Sequence, residues 1–218
     1  MPIDFELARH AMVEQQVRPW EVLDPRVLDT LATLRREDFV PSRHRRLAFT
    51  DMALPLEHGE SMMKPVVEGR LLQALDISPE DEVLEIGTGS GFLTACLARL
   101  ARDVHSIDIH ADFVERARDR LAATGLANVR VEVADALGFA PGRQFDAVAV
   151  TGAVTAVPAA FLAWLKPGGR LFAVRGHAPA LEAVLLRHNG GVAMAPESLF
   201  ETDLPYLRGA APVERFVL

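Results

Sequence analysis

"VLEIGTGSGFLTACLA", residues 83–98, sets Gly87, Gly89 and Gly91 between an apolar run with strand character and an apolar run with helical spacing. Missing side chains at such a junction let a ligand approach the backbone. A dinucleotide fingerprint, G-x-G-x-x-G, would need glycine at position 92, where Phe92 stands, so the loop is a poor match to NAD binding.

Outward from this loop the chain alternates. Strands are expected over 82–86, 103–108, 128–133, 145–150 and 169–174, with helices over 90–101, 111–123 and 157–164. Such βαβ order predicts an α/β fold, a Rossmann-like doubly wound and mostly parallel sheet covered on both faces. Further on, Leu181–Arg187 and a run from Val192 flank His188-Asn189-Gly190-Gly191, a hairpin signal that adds an antiparallel edge. Upstream, residues 4–18 and 25–35 carry apolar residues at helical spacing, with Asp24 and Pro25 in the N-cap and first-turn roles. Between them and a helix expected over about 66–75, the pattern breaks around Pro55, Gly59 and Pro65 and reads as an ordered loop. A single domain is expected, with 1–64 as helical extension and acceptor loop, 65–176 as cofactor-binding core, and 177–218 as C-terminal hairpin and tail.

The 218 residues are half apolar, enough for a core of ordinary size. A net charge of −7 with no compensating basic block argues against nucleic-acid partners, and the run Arg43-His44-Arg45-Arg46 reads as a solvated turn. The first residues lack a signal-peptide pattern and no window reaches about 18 apolar residues, so a cytoplasmic protein without membrane association is expected. Cys96, the only cysteine, excludes an internal disulfide and reads as a packed thiol. The histidines show neither paired helical spacing nor a cysteine partner, and no metal site is expected. Oligomeric state is not legible.

Three carboxylates end successive strands: Glu85, Asp108 and Asp135. All are expected to face the crevice at the carboxyl edge of the sheet. Asp108 is placed to accept from both hydroxyls of a ribose, Glu85 to anchor a cationic amino group directly or through water, and Asp135 to accept from the exocyclic amine of adenine. An amino acid, a ribose and an adenine together describe S-adenosyl-L-methionine. The expected cofactor-binding set is Glu85, Gly87, Thr88, Gly89, Ser90, Gly91, Asp108, Asp135 and Ala136. Phe145-Asp146 and Val150-Thr151-Gly152-Ala153 mark the fourth strand and its edge.

With "MVEQQVRPWEVLDPRVLDTL", "RREDFVP", "DMALPLEHGE", "VHSID" and "FDAVAVTGAVTAVP" added to the glycine loop, the chain resembles the protein-L-isoaspartate O-methyltransferase family over nearly its whole length. The resemblance implies methyl transfer to the α-carboxyl of L-isoaspartyl residues in a damaged protein or peptide. The family's acceptor loop typically reads Gly-Gln-Thr-Ile-Ser-Gln-Pro, and here it reads Gly59-Glu60-Ser61-Met62-Met63-Lys64-Pro65. Ser61 keeps the first hydroxyl and is expected to orient the carboxylate, with Lys64 or Arg175 assisting, while Met63 stands where the family has serine. Paired methionines also suit an apolar small-molecule acceptor bearing a carboxyl or hydroxyl, and for a phenol or hydroxyl His58 or His177 would take the proton. A catalytically silent cofactor-binding interaction module is the third reading.

Overall fold

The computed structural model describes residues 4–189, 192–193 and 195–212. Helix α1 (Phe5–Met12) is capped by Asp4, whose carboxylate accepts from the Leu7 N–H at 3.1 Å, and continues through a π-helical turn at Val13–Val17. Helix α2 (Pro25–Thr33) starts as its sequence predicts, with Asp24 accepting from the Arg26 N–H at 2.8 Å and Pro25 in the first turn, where its missing donor costs nothing. The segment expected to be loop contains a small ladder, β1 (Leu54–Pro55) antiparallel to β2 (Ser61–Met62), before α3 (Pro65–Leu75).

The alternating part follows as β3 (Glu82–Ile86), α4 (Phe92–Leu100), β4 (Asp103–Asp108), α5 (Ala111–Ala123), β5 (Val129–Val133), β6 (Phe145–Val154), α6 (Ala159–Ala163), β7 (Leu165–His177), β8 (Ala180–Asn189), β9 (Val192–Ala193) and β10 (Glu197–Thr202). The main sheet runs β10-β8-β7-β6-β3-β4-β5, with β9 paired to β8. Pairing is parallel from β7 to β5 and antiparallel where β8 meets β7, β9 and β10. The mostly parallel sheet with an antiparallel C-terminal edge is therefore present. Gly190 and Gly191, the turn of the expected hairpin, lie outside the described residues. Two strands outrun their sequence signals. β6 continues past Gly152 to Val154, and β7 begins at Leu165, with register shifts absorbing the extra residues.

Strand order turns back between β3 and β6: the chain goes from β3 outward to β5, then returns to lay β6 on the other side of β3. Ligands bind doubly wound sheets above such a reversal, at the carboxyl ends of the strands.

Helix α4 is apolar on nearly every side because it is covered on nearly every side, by the sheet and by α2 and α3. Its Phe92 is fully buried edge-on against Phe39, ring centroids 5.6 Å apart, which contributes roughly 1.5–3 kcal/mol by burial. Cys96 in the same helix is fully buried, and burial pushes its thiol pKa up, so it packs as a small hydrophobe. The basic run Arg43–Arg46 lies in a 3-10 turn, with Arg45 paired to Asp38 at 2.5 Å and Arg43 to Glu57 at 3.5 Å. Among the described residues no helix is long and apolar enough to cross a membrane.

Candidate functional site

Gly87 adopts φ +100°, and a Cβ there would lie 2.3 Å from Thr151 Oγ1. No other residue fits. The Thr151 hydroxyl is held at 2.8 Å from the carbonyls of both Ile86 and Gly87, so β6 braces the first glycine across the strand reversal. Gly91, at φ +85°, caps α4 where a Cβ would press on Ala117 at 3.1 Å. The loop thus closes tightly against its own scaffold and presents backbone on the other side.

That side faces a solvent-open cavity at the carboxyl ends of the strands, the place where such sheets bind small molecules. Gly87, Gly89, Asp108, Asp135 and Ala136 line it, joined by Thr151 and Gly152 from β6. Asp108 is 7% exposed, and its two oxygens accept from the Gly89 N–H at 2.8 Å and the His110 N–H at 2.9 Å. Each oxygen keeps a lone pair, and the carboxylate cannot rotate, a geometry suited to a pair of vicinal hydroxyls. Asp135 Oδ1 accepts from the Leu137 N–H at 3.0 Å. These residues fit the nucleoside of the expected cofactor.

The remaining members of the expected set stand behind the lining. Thr88, Ser90 and Gly91 are not on the cavity wall. Glu85 is fully buried beneath the loop instead of facing the crevice: Thr94 Oγ1 donates to its Oε2 at 2.5 Å and Ser106 Oγ at 2.6 Å. Because Ser106 spends its proton on Glu85, the 2.6 Å contact between Thr88 and Ser106 is donated by Thr88, giving the chain Thr88 to Ser106 to Glu85. Burial pushes the Glu85 carboxyl up to about 8, against the pull of the two hydroxyls. Its other oxygen, Oε1, is buried without a partner. Direct contact with a cationic group in the cavity is thus replaced by a position under the floor.

The opposite wall comes from the loop preceding α3. Leu56, Glu60 and Ser61 line the cavity. Met62 and Met63 do not: they are 4% and 5% exposed and belong to the hydrophobic core, so they form no apolar gate. Lys64 turns away to Asp203, Nζ to Oδ1 at 3.0 Å, and Arg175 pairs with Glu182 at 3.1 Å. His177 is exposed and off the cavity wall.

A buried arginine supports this wall from behind. Arg36 is fully buried and donates to the Ala48 carbonyl at 2.8 Å, to the Met63 carbonyl at 2.7 Å and to the Glu68 carboxylate, with its guanidinium 4.7 Å above the Phe92 ring. Burial raises the Glu68 pKa and the Arg36 charge pulls it back. In "RREDFVP" this arginine looks like one more surface charge, and nothing in the local pattern marks it as interior.

A third contribution comes from the C-terminal segment. Tyr206, Leu207 and Arg208 line the cavity. The segment is stitched to the end of β6 by the Ala153 N–H donating to the Pro205 carbonyl and the Leu207 N–H to the Ala153 carbonyl, both at 2.8 Å. Gly152 lets the segment approach closely, since a Cβ there would lie 2.6 Å from the Leu207 side chain and push it aside. Among the described residues Arg208 is the arginine or lysine on the cavity wall, a place where the sequence suggested Lys64 or Arg175; no periodicity distinguishes a segment that follows an edge strand.

The separation of His58 from the other histidines in sequence is erased by the fold. Its ring stacks on His110 with centroids 4.0 Å apart, and its Nε2 lies 2.9 Å from Asp112 Oδ1. Potential ligand atoms of His58, His110 and Asp112 fall within 4.8 Å of one another, where sequence spacing had offered no metal-ligating group.

A glycine loop at a strand reversal, two anchored aspartates on the cavity above it and a separate loop forming the opposite wall define a class I methyltransferase architecture. Residues 8–195 match the family model for protein-L-isoaspartate(D-aspartate) O-methyltransferase. A protein-L-isoaspartate O-methyltransferase 1 of Anaeromyxobacter sp. (strain Fw109-5) is 39% identical over 205 residues, 92% of this chain and 96% of that protein. A protein-L-isoaspartate O-methyltransferase of Koribacter versatilis (strain Ellin345) is 38% identical over 181 residues, 83% of this chain and 81% of that protein. In fold, the chain matches a Plasmodium falciparum structure described as a protein-L-isoaspartate O-methyltransferase in complex with S-adenosyl-L-homocysteine, with TM-score 0.77 at 16% identity, over 91% of this chain and 97% of that one. The chain belongs to the protein-L-isoaspartate(D-aspartate) O-methyltransferase family.

Proposed function

We propose that this protein transfers a methyl group from S-adenosyl-L-methionine to the α-carboxyl of L-isoaspartyl residues in proteins and peptides. The observation that carries this reading is a single cavity with the glycine loop and Asp108 on one wall and Ser61 of the acceptor loop on the other. Bound S-adenosyl-L-methionine supplies an electrophilic methyl on a sulfonium. The acceptor α-carboxyl, with an ordinary pKa of about 3.5, arrives ionised, so the chain needs no general base. Its task is placement and exclusion of water. Asp108 and Asp135 would fix the nucleoside, and the backbone of Gly87 and Gly89 would approach the amino-acid part. The Ser61 hydroxyl would donate to the acceptor carboxylate without neutralising it, and Arg208 would attract it. Lys64 would act on the loop through Asp203, not on the substrate.

The same proposal treats residues 1–218 as one functional domain acting in the cytoplasm. A small apolar acceptor loses its main support with Met62 and Met63 packed in the core. The test is methyl transfer from labelled S-adenosyl-L-methionine to an isoaspartyl peptide, with the matched aspartyl peptide as control and cofactor binding measured in the same preparation. Selective labelling is expected. Binding without labelling would overturn the acceptor assignment and favour a silent cofactor-binding module.

A further inference from the structure

We propose that His58, His110 and Asp112 form a binding site for a divalent transition-metal ion of the zinc type, which ties the acceptor loop to the start of α5. His58 lies in the turn between β1 and β2, His110 at the N-cap of α5 and Asp112 in its first turn. One ligand atom from each falls within 4.8 Å of the others. Zinc takes imidazole nitrogen and carboxylate oxygen at roughly 2.0–2.2 Å, which sets tetrahedral donors about 3.3 Å apart. Closing that difference takes side-chain rotation, in which the His58 ring leaves its stack on His110 and Asp112 Oδ1 exchanges its His58 bond for the ion.

Two neighbouring groups favour a cation, the His110 ring and the Glu60 carboxylate. His110 Nε2 is buried with no hydrogen-bond partner, and a nitrogen left so beside a solvent-open cavity calls for one. Glu60 Oε1 is 3.8 Å from it, adding a second carboxylate at the edge of the cluster. Arg116 engages Asp112 Oδ2, which leaves Oδ1 as the ligating atom. The His110 backbone is fixed by its N–H bond to Asp108, so one ligand is preorganised. His58 adopts φ +60°, a left-handed conformation uncommon outside glycine, and that conformation presents its ring to His110. Two imidazoles with one carboxylate suit zinc, cobalt or nickel and not magnesium or calcium, which take oxygen ligands. Three protein ligands leave a coordination position for water.

This site does not depend on the methyl-transfer reading, and it is tested without an activity measurement. Chelator-treated protein is titrated with Co2+, followed by its visible ligand-field absorption, and with Zn2+ by calorimetry, for the wild type, His58→Ala and Asp112→Asn. One ion per chain is expected in the wild type, with affinity at least tenfold weaker in both variants. Circular dichroism should show both variants folded, since neither side chain is part of the core. Absence of a ligand-field band in the wild type, or affinity within twofold of wild type in folded His58→Ala, would overturn the proposal. Since His110 also lines the cavity, Zn2+ should shift the affinity for S-adenosyl-L-homocysteine in the wild type and not in His58→Ala.

Discussion

The two walls of the cavity are held by different means. On the cofactor side, position is set by backbone: Gly87 wedged against Thr151, Gly89 and His110 amides gripping Asp108, and a strand reversal that leaves the space open. On the acceptor side, a loop with only a two-residue ladder is held from behind by the Arg36 side chain, which reaches the Ala48 and Met63 carbonyls from a fully buried position. A wall built from backbone tolerates exchange of most neighbouring side chains. A wall that leans on one buried guanidinium concentrates much of its dependence there.

Arg36→Met should break this contrast most severely. It strands the Glu68 carboxylate without its buried partner, and about 3–5 kcal/mol of stability should be lost in urea unfolding. Replacing Glu68 by leucine as well should recover much of the stability but not methyl transfer, because the loop carbonyls still lack their donor; recovery of both would sink the assignment of Arg36 as the loop's anchor. Met63→Ser, which restores the family's hydroxyl, should cost roughly 2–5 kcal/mol through the cavity left in the core. An increase in isoaspartyl methylation without that loss would show that Met63 faces the acceptor after all.

On the cofactor wall, Asp108→Ala should weaken S-adenosyl-L-homocysteine binding by about 10- to 100-fold, matching roughly 1.5–3 kcal/mol for hydrogen bonds to a charged group, as read by calorimetry. Unchanged affinity would remove Asp108 from the nucleoside site. Glu85→Gln addresses the layer beneath. The native Glu85 carboxyl titrates near 8 against an ordinary 4.5, so between those values the folded protein holds a proton that the unfolded chain has released. Its stabilising contribution is full below about pH 4.5 and declines as pH rises through about 8. The stability difference between wild type and Glu85→Gln should drift against the wild type across that window, and a pH-independent difference would show that Glu85 is ionised in the fold. The smallest effect is expected for Lys64→Ala. The partly exposed pair with Asp203 is worth roughly 0–1 kcal/mol, and kcat/KM should change less than about threefold. A tenfold loss would return Lys64 to the substrate.

The backbone-built wall was legible in the sequence because its chemistry is periodic: glycines at a strand-to-helix junction and carboxylates at strand ends occupy positions that the βαβ alternation itself defines. On the other wall the acceptor loop and Ser61 were legible, but the side chains that support the loop were not. Arg36 sits in a charged stretch whose exposure depends on contacts with Ala48, Met63 and Glu68, up to 32 residues away. His58 and Asp112, 54 residues apart, meet only because the loop folds over α5. β10 escaped notice for a different reason. As a partly exposed edge strand, Glu197–Thr202 has no apolar alternation to show. Glu85 was placed correctly at its strand end, but strand register could not tell a crevice-facing carboxylate from one turned under the glycine loop.

The burial of Cys96 has a practical consequence. The chain carries one thiol, and that thiol is sealed inside α4. Maleimide reagents should leave the native protein unlabelled. A single cysteine introduced at half-exposed Glu57 would then carry a fluorophore with no background, turning the outer edge of the acceptor loop into an optical reporter of loop movement during turnover.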